Sequence, residues 1–329
     1  MTPPSVTVAV DAMGGDYAPK EIIKGAHLAA EDKELSIILV GQEEQINNEL
    51  RKLSPCANIR VKHAQDVIEM GEHAARAVKT KQSSSISIAA QLVKEGEACA
   101  MVSAGNSGAT MSAAMLKIGR IKGVLRPAIA VIIPTLSKPT VLLDAGANAE
   151  CKPKNLYQFA VMGKAYATKV LDIKSPKIGL LNVGEERGKG GELLQKSYEL
   201  MGSIEGFVGN IEGNDIPSGK VDVVVCDGFV GNVALKLMEG LASTFFSQIK
   251  VVVKSSFIKI IGGVLLASSF RKLKSELDHE EYGGAHLLGI NGVCVIGHGR
   301  SNAKAVKNAI MVAKRAVLEN IVSEISGGI

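Results

Sequence analysis

Six apolar runs in this 329-residue chain close on glycine mixed with Asp, Asn, Ser, Lys or His. Val6 to Val10 runs into Asp11 and then Gly14-Gly15-Asp16. Ala98 to Val102 runs into Ser103-Ala104-Gly105-Asn106-Ser107-Gly108, and Val141 to Leu143 into Asp144-Ala145-Gly146-Ala147-Asn148. Ile178 to Leu181 is followed by Asn182-Val183-Gly184 and then Gly188-Lys189-Gly190-Gly191. Val221 to Val225 meets Cys226-Asp227-Gly228-Phe229-Val230-Gly231-Asn232, and Val293 to Ile296 meets Gly297-His298-Gly299. A glycine turn between strand and helix frees backbone N–H groups to hold a tetrahedral anion. Lys189 is the one flexible cation among these glycines, and His298 is the best-placed imidazole.

The spacing excludes several chemistries. The first turn is not G-x-G-x-x-G, which argues against a dinucleotide. Gly184 to Lys189 is one residue short of a P-loop, and Gly190 stands where Ser or Thr would hold magnesium. No G-x-S-x-G is present, so a serine elbow is absent. Cys226 beside Asp227 offers an acyl acceptor, against the blander role of a small buried hydrophobe. Asp11, Asp16, Asp144 and Asp227 either bind magnesium or accept N–H bonds within their own turns, and the second role is the expected one.

The intervening segments supply the frame. Leu35–Val40 reads as a strand, Glu43–Leu53 as a polar helix, and Asn58–Lys62 as a short strand. Helical patterns cover Ala74–Lys79, Ser85–Glu95, Ala109–Ile118 and about Ala303–Ile321, and a long helix starts at Val233. Ile121–Pro134 is a basic loop followed by a strand. Alternating strands and helices predict a largely parallel sheet covered on both faces, with all six turns converging along one edge. The reading is a single α/β unit over 1–329, with residues 247–277 breaking the rhythm as an appended helical segment.

Composition narrows the class. Hydrophobic residues at 46% allow a full core, and aromatics at 4% without tryptophan argue against stacking on single-stranded nucleic acid. A net charge of +5 is too mild for a nucleic-acid binder of this length. Five scattered cysteines without C-x-x-C suggest reduced thiols and no metal site. The first residues, MTPPSVTVAVD, lack a signal-peptide pattern, and no apolar run reaches the roughly 20 residues of a spanning helix. A cytoplasmic protein is expected.

Taken together, VAVDAMGGDYAP, VSAGNSGA, RIKGVLRPAIA, LLDAGAN, LLNVGEE, CDGFVGNVALK, YGGA and the late G-H-G resemble the bacterial phosphate acyltransferase family, PlsX, in order from Val6 to Ile321. Departures are Tyr17 for the usual His, Ser107 for Thr, Ala74 for a frequent proline, and Val230 for a Thr that could have offered a hydroxyl. The resemblance implies transfer of a fatty acyl group from acyl carrier protein to inorganic phosphate. The acyl phosphate would feed a membrane acyltransferase that acylates glycerol 3-phosphate. It also implies a three-layer α/β/α fold related to isocitrate and isopropylmalate dehydrogenases and to phosphotransacetylases, a homodimer, and no cofactor.

Phosphate as nucleophile needs no serine or cysteine; the protein holds the anion and stabilises an oxyanion. Lys189 is assigned to neutralising phosphate and Asn232 to donating near the reacting carbonyl. Substrate binding is assigned to Asp11, Gly14, Gly15, Asp16, Ser103, Gly105, Asn106, Gly108, Asp144, Gly146, Asn148, Asp227, Gly228 and His298. An acyl-Cys226 route, a dehydrogenase and a non-catalytic lipid-synthesis scaffold are the alternatives. The dehydrogenase lacks a cofactor fingerprint, and a scaffold has no use for six ligand-like turns.

Phe257–Ala267 (FIKIIGGVLLA) carries bulky apolar residues, with Lys250, Lys254, Lys259, Arg271, Lys272 and Lys274 around it. It reads as two short amphipathic helices hinged at Gly262-Gly263, either lying on the inner face of the cytoplasmic membrane through 254–274 or covered by a dimer partner. These cations, with Arg120, Lys122 and Arg126, also suit an acidic carrier protein.

Overall fold

Except at the two sheet edges, each strand is short and rich in Val, Ile, Leu and Ala, and its side chains alternate between two buried faces. The computed structural model describes residues 6–276 and 283–329, without the side chains of 274–276. Residues 1–5, Leu277, Tyr282 of the YGGA motif and the Lys274 side chain therefore lie outside the described part.

The chain opens with β1 (Val6–Asp11), α1 (Lys20–Ala29), β2 (Leu35–Gly41), α2 (Glu43–Leu50) and β3 (Ile59–His63). Next come α3 (Ala74–Thr80), α4 (Ser85–Lys94), β4 (Ala100–Ser103) and α5 (Ser107–Ala113), which continues as a π-helical turn, Ala114–Ile118. Then follow β5 (Ala128–Ile133), β6 (Thr140–Leu143), α6 (Pro153–Lys169), β7 (Ile178–Leu181), α7 (Glu192–Met201), β8 (Phe207–Ile211), α8 (Asp215–Ser218) and β9 (Val223–Val225). The last elements are α9 (Gly228–Lys254), α10 (Phe257–Glu276), β10 (Ala285–Leu288), β11 (Val293–Ile296), α11 (Ala303–Leu318) and α12 (Ile321–Gly328).

These strands form one 11-stranded sheet in the order β3-β2-β1-β4-β11-β10-β5-β6-β9-β7-β8. Pairing is parallel from β3 through β11 and again from β6 through β8, but β10 is antiparallel to both β11 and β5, and β5 to β6. The direction therefore reverses three times, and the two parallel halves run in opposite senses. This corrects the expectation of one shared edge. The turns after β1, β4 and β11 lie at one edge, and those after β6, β7 and β9 lie at the other.

One face of the sheet carries a continuous core: Val8, Val102, Val295, Ala130, Leu143, Val225 and Leu180 pack with side chains of α1, α6 and α11. The opposite face is divided. Met101, Cys294 and Leu287 belong to a cluster with α4 and α5, whereas Val131, Leu142 and Val224 belong to another with Leu235 and Met238 of α9. Ile129 and Ala285 pack against both clusters, so the division falls at β5 and β10. The layers are helix, sheet, helix, as expected, with a gap in one helical layer.

The appended segment differs from expectation. Its hairpin begins at Gly228, because α9 is 27 residues long, and its break falls at Ser255-Ser256 rather than at Gly262-Gly263. Helix α10 passes straight through that glycine pair. A Cβ on Gly263 would collide with Val253, so this glycine permits close approach of the two helices and is no hinge.

Candidate active site

The gap in the helical layer is a cavity of about 400 Å³. Its floor includes Ile129, Val131, Ala285 and Ile296, and Leu235 of α9 stands over it. Gly146 and Asn232 lie at one end, and Asp16, His298 and Arg300 at the other. The strands crossed are only four to six residues long, so turns from opposite sheet edges reach the same space.

Asn232 opens the second turn of α9, whose N-cap Asp227 accepts the Val230 N–H over 2.9 Å. Gly231 is buried because a Cβ there would collide with the Asp144 carbonyl oxygen, so α9 rests directly on the turn after β6. Gly146, at φ +131°, faces Asn232: a Cβ on it would lie 3.6 Å from the Asn232 Cγ. Asn232, Leu235, Lys236 and Glu239 all line the cavity, at the i, i+3, i+4, i+7 spacing of one helix face.

Asp144 organises that turn. Its Oδ1 accepts from the N–H groups of Ile129 (2.9 Å), Gly146 (3.2 Å) and Ala147 (3.0 Å). Its Oδ2 accepts from the Asn148 backbone (2.7 Å) and Asn148 Nδ2 (2.9 Å). Asn148 Nδ2 also donates to the Pro127 carbonyl, and the Gly228 N–H to the Asn148 carbonyl. Burial raises the Asp144 pKa, against the lowering effect of these donors. The polar atoms of Asp144 are thus engaged in holding the turn.

Asp11 does the same at the other edge. It is buried, its Oδ2 accepts from Ser103 Oγ at 2.7 Å, and its Oδ1 accepts from the Met13 N–H at 3.2 Å. Ser103 Oγ in turn accepts from the Gly105 N–H at 3.1 Å. A Cβ on Gly14 would collide with the Asp11 carboxylate and lie 2.7 Å from the Gly105 nitrogen, so the turns after β1 and β4 are in contact. Gly15, at φ +107°, precedes Asp16, whose N–H donates to the Gly299 carbonyl at 2.7 Å. The Asp16 carboxylate lies 3.8 Å from Arg300 Nε, and His298 Nδ1 accepts from the Arg300 N–H at 3.2 Å.

Asn106 caps α5: its Oδ1 accepts from the Ala109 N–H, while Nδ2 donates to the carbonyls of Met70 (2.9 Å) and Glu72 (3.2 Å). It thereby holds the 70–72 segment beside the site. Gly108 stands in the first turn of α5, where a Cβ would be 3.0 Å from the Ala74 Cβ.

Of the predicted residues, the cavity brings together Asp16, Gly146, Asn232 and His298. Asp11, Ser103, Gly14, Gly105, Asp144, Asn148 and Gly228 form the supports beneath. Lys189 does not line the cavity. It is exposed, its N–H donating to the Glu186 carbonyl and its own carbonyl accepting from Asn182 Nδ2. Its turn shares a sheet edge with that of Asn232, since β7 pairs with β9. Sequence reasoning missed Arg300, Lys236 and Glu239; the helix-face spacing from Asn232 was the available signal for the last two.

Cys226 is buried, its Sγ donating to the Asp144 carbonyl at 3.7 Å, and burial pushes its thiol pKa well up. A nucleophilic cysteine needs the opposite shift. Among the described residues, no group of three or more His, Cys, Asp or Glu could hold a metal ion.

Comparisons with known proteins bear on the family and the fold. A phosphate acyltransferase of Pelotomaculum thermopropionicum is 53% identical over 323 residues, covering 98% of this chain and 94% of that protein. One from Dictyoglomus turgidum is 49% identical, covering 98% of this chain and 97% of that protein. In fold, a phosphotransacetylase from Streptococcus pyogenes superposes with a TM-score of 0.67 at 18% identity, covering 96% of this chain and 94% of that one. A 4-hydroxythreonine-4-phosphate dehydrogenase from Klebsiella pneumoniae gives 0.53 at 15% identity, covering 95% and 100%. The family model described as "Fatty acid synthesis protein" matches residues 6–324. The chain therefore belongs to the phosphate acyltransferase (PlsX) family of fatty acid synthesis proteins and is an acyltransferase.

Proposed function

We propose that the cavity receives a fatty acyl thioester of acyl carrier protein and that bound inorganic phosphate attacks its carbonyl directly. A phosphate oxygen forms the new C–O bond, the C–S bond breaks, and the proton of hydrogen phosphate passes to the departing thiol. The observation carrying this reading is Asn232 against Gly146 at the rim of an apolar cavity. Such a site pairs a side-chain amide donor with an apolar floor, from which a bound acyl chain would displace water and so strengthen a donor aimed at an oxyanion. Lys189 neutralises phosphate from the neighbouring turn, and no resident cofactor is needed. Asp11 and Asp144 act by holding turns, with their carboxylate oxygens engaged there.

The α9–α10 hairpin serves association. Phe257, Ile258 and Leu265 are at least 76% exposed, and lysines and arginines lie close in sequence. Among the described residues no helix is long and apolar enough to cross a membrane. We assign residues 254–274 to reversible contact with the inner face of the cytoplasmic membrane and the rest of the hairpin to a second copy of the chain. Exposed Arg120, Lys122 and Arg126 face the acidic carrier. The acyl phosphate passes to a membrane enzyme that acylates glycerol 3-phosphate.

The test is incubation of the purified protein with palmitoyl-carrier protein and inorganic phosphate, followed by phosphorus NMR. An acyl phosphate resonance appearing as free carrier is released is the expected result. Intact thioester, or free fatty acid without acyl phosphate, would overturn the reading.

A further inference from the structure

The floor of the cavity has an uneven rung. Ala285 of β10 pairs with Ile296 of β11, and the next β10 residue, His286, pairs with Ala130 of β5, which sets Ala285 level with Val131. Side chains alternate across a sheet, so Val131, Ala285 and Ile296 stand in one row on the cavity face. The outer two are β-branched and the middle one is a methyl group, which leaves a notch between them. Ala285 also lies where the two cores of this face separate, with Leu235 of α9 as roof. A larger residue there would close the gap that makes the cavity.

The ends of the cavity differ in what they offer a ligand. The Gly146–Asn232 end carries an amide donor, the floor between the ends is apolar, the paired Lys236 and Glu239 flank Leu235 in the roof, and Asp16, His298 and Arg300 edge the far end. A hydrocarbon chain starting at Asn232 gains by covering the floor and gains nothing by passing the charged pair Asp16–Arg300. A volume of about 400 Å³ lies within the range of small-molecule sites. We infer that the acyl chain lies across the Val131–Ala285–Ile296 rung beneath Leu235, and that Ala285 sets the chain length accepted. This inference rests on the acyl-transfer reading above.

The experiment compares kcat/KM for octanoyl- and palmitoyl-carrier protein, with saturating phosphate, in the unaltered protein, Ala285→Leu and Leu235→Phe. Filling the notch should cost the long donor far more than the short one, shifting the ratio toward octanoyl by about tenfold or more in Ala285→Leu. Leu235→Phe fills the same space from a half-exposed helix position, so it gives the same direction of shift if Ala285→Leu does not fold. An unchanged ratio in a folded variant would overturn the inference. So would equal loss with both donors, the result expected if the cavity held the carrier's pantetheine arm. The reading beneath it fails separately, if the unaltered protein makes no acyl phosphate from either donor.

Discussion

Ser103 Oγ donates to Asp11 Oδ2 over 2.7 Å, tying the turn after β4 to the turn after β1 across 92 residues of sequence. Met13 and Gly105 complete the support, through their N–H groups. Asp11→Ala leaves the Ser103 hydroxyl and the Met13 N–H without their acceptor. A loss of about 2–4 kcal/mol is expected, read from the urea midpoint at constant m-value. A change below about 0.5 kcal/mol would show that the carboxylate does not hold the turns.

The buried thiol of Cys226 sits beneath the start of α9, with its pKa raised by burial and by the neighbouring Asp144 and Asp227 carboxylates. Cys226→Ala should keep turnover within about twofold of the unaltered protein, since on the proposed route the acyl group passes directly to phosphate. Trapping of an acyl-enzyme that vanishes in this variant would favour the covalent route instead.

On the far face of β10, His286 is buried with Nδ1 2.7 Å from the Tyr166 hydroxyl, and burial lowers its pKa to about 3. The unfolded chain binds the proton near pH 6.5, so the neutral buried ring stabilises the fold above that pH. That contribution is lost as pH falls toward 3, at up to about 1.4 kcal/mol per unit. Asp11 and Asp144, raised by burial above the ordinary carboxylate value of 3.8, act with the opposite sign from that pH upward. The comparison of stability against pH for His286→Gln and the unaltered protein isolates the histidine. The variant curve should be flatter between pH 6.5 and 4, and parallel curves would contradict the assignment.

Phe257 and Leu265 bear on the membrane. Phe257→Asp or Leu265→Asp should abolish flotation with anionic liposomes while soluble acyl transfer continues. Unchanged flotation would remove 254–274 from membrane contact.

The turns were legible because glycine among polar residues after an apolar run marks the end of a buried strand. The division of those turns between two edges was not legible. Periodicity records which residues of β5 or β10 are buried but carries no direction, and the three reversals follow from pairings distant in sequence. β8 was also missed, because FVGNI has a glycine at its centre. At Gly262-Gly263 the glycine pair suggested a hinge. Gly263 instead permits helix contact at Val253, a tertiary feature invisible in local sequence. The N–H bonds that Asp11 and Asp144 accept were foreseeable, since Asp accepting within its own turn is a local property.

On the proposed route Asn232, held against Gly146 by the contact of α9 with the turn after β6, donates to the oxyanion formed when phosphate attacks the thioester. The most direct measurement is kcat of Asn232→Ala with palmitoyl-carrier protein and saturating phosphate, alongside its melting temperature. Loss of one oxyanion donor predicts a fall of at least about 10²-fold, roughly 3 kcal/mol, with the fold intact. A folded Asn232→Ala protein turning over at the unaltered rate would contradict it.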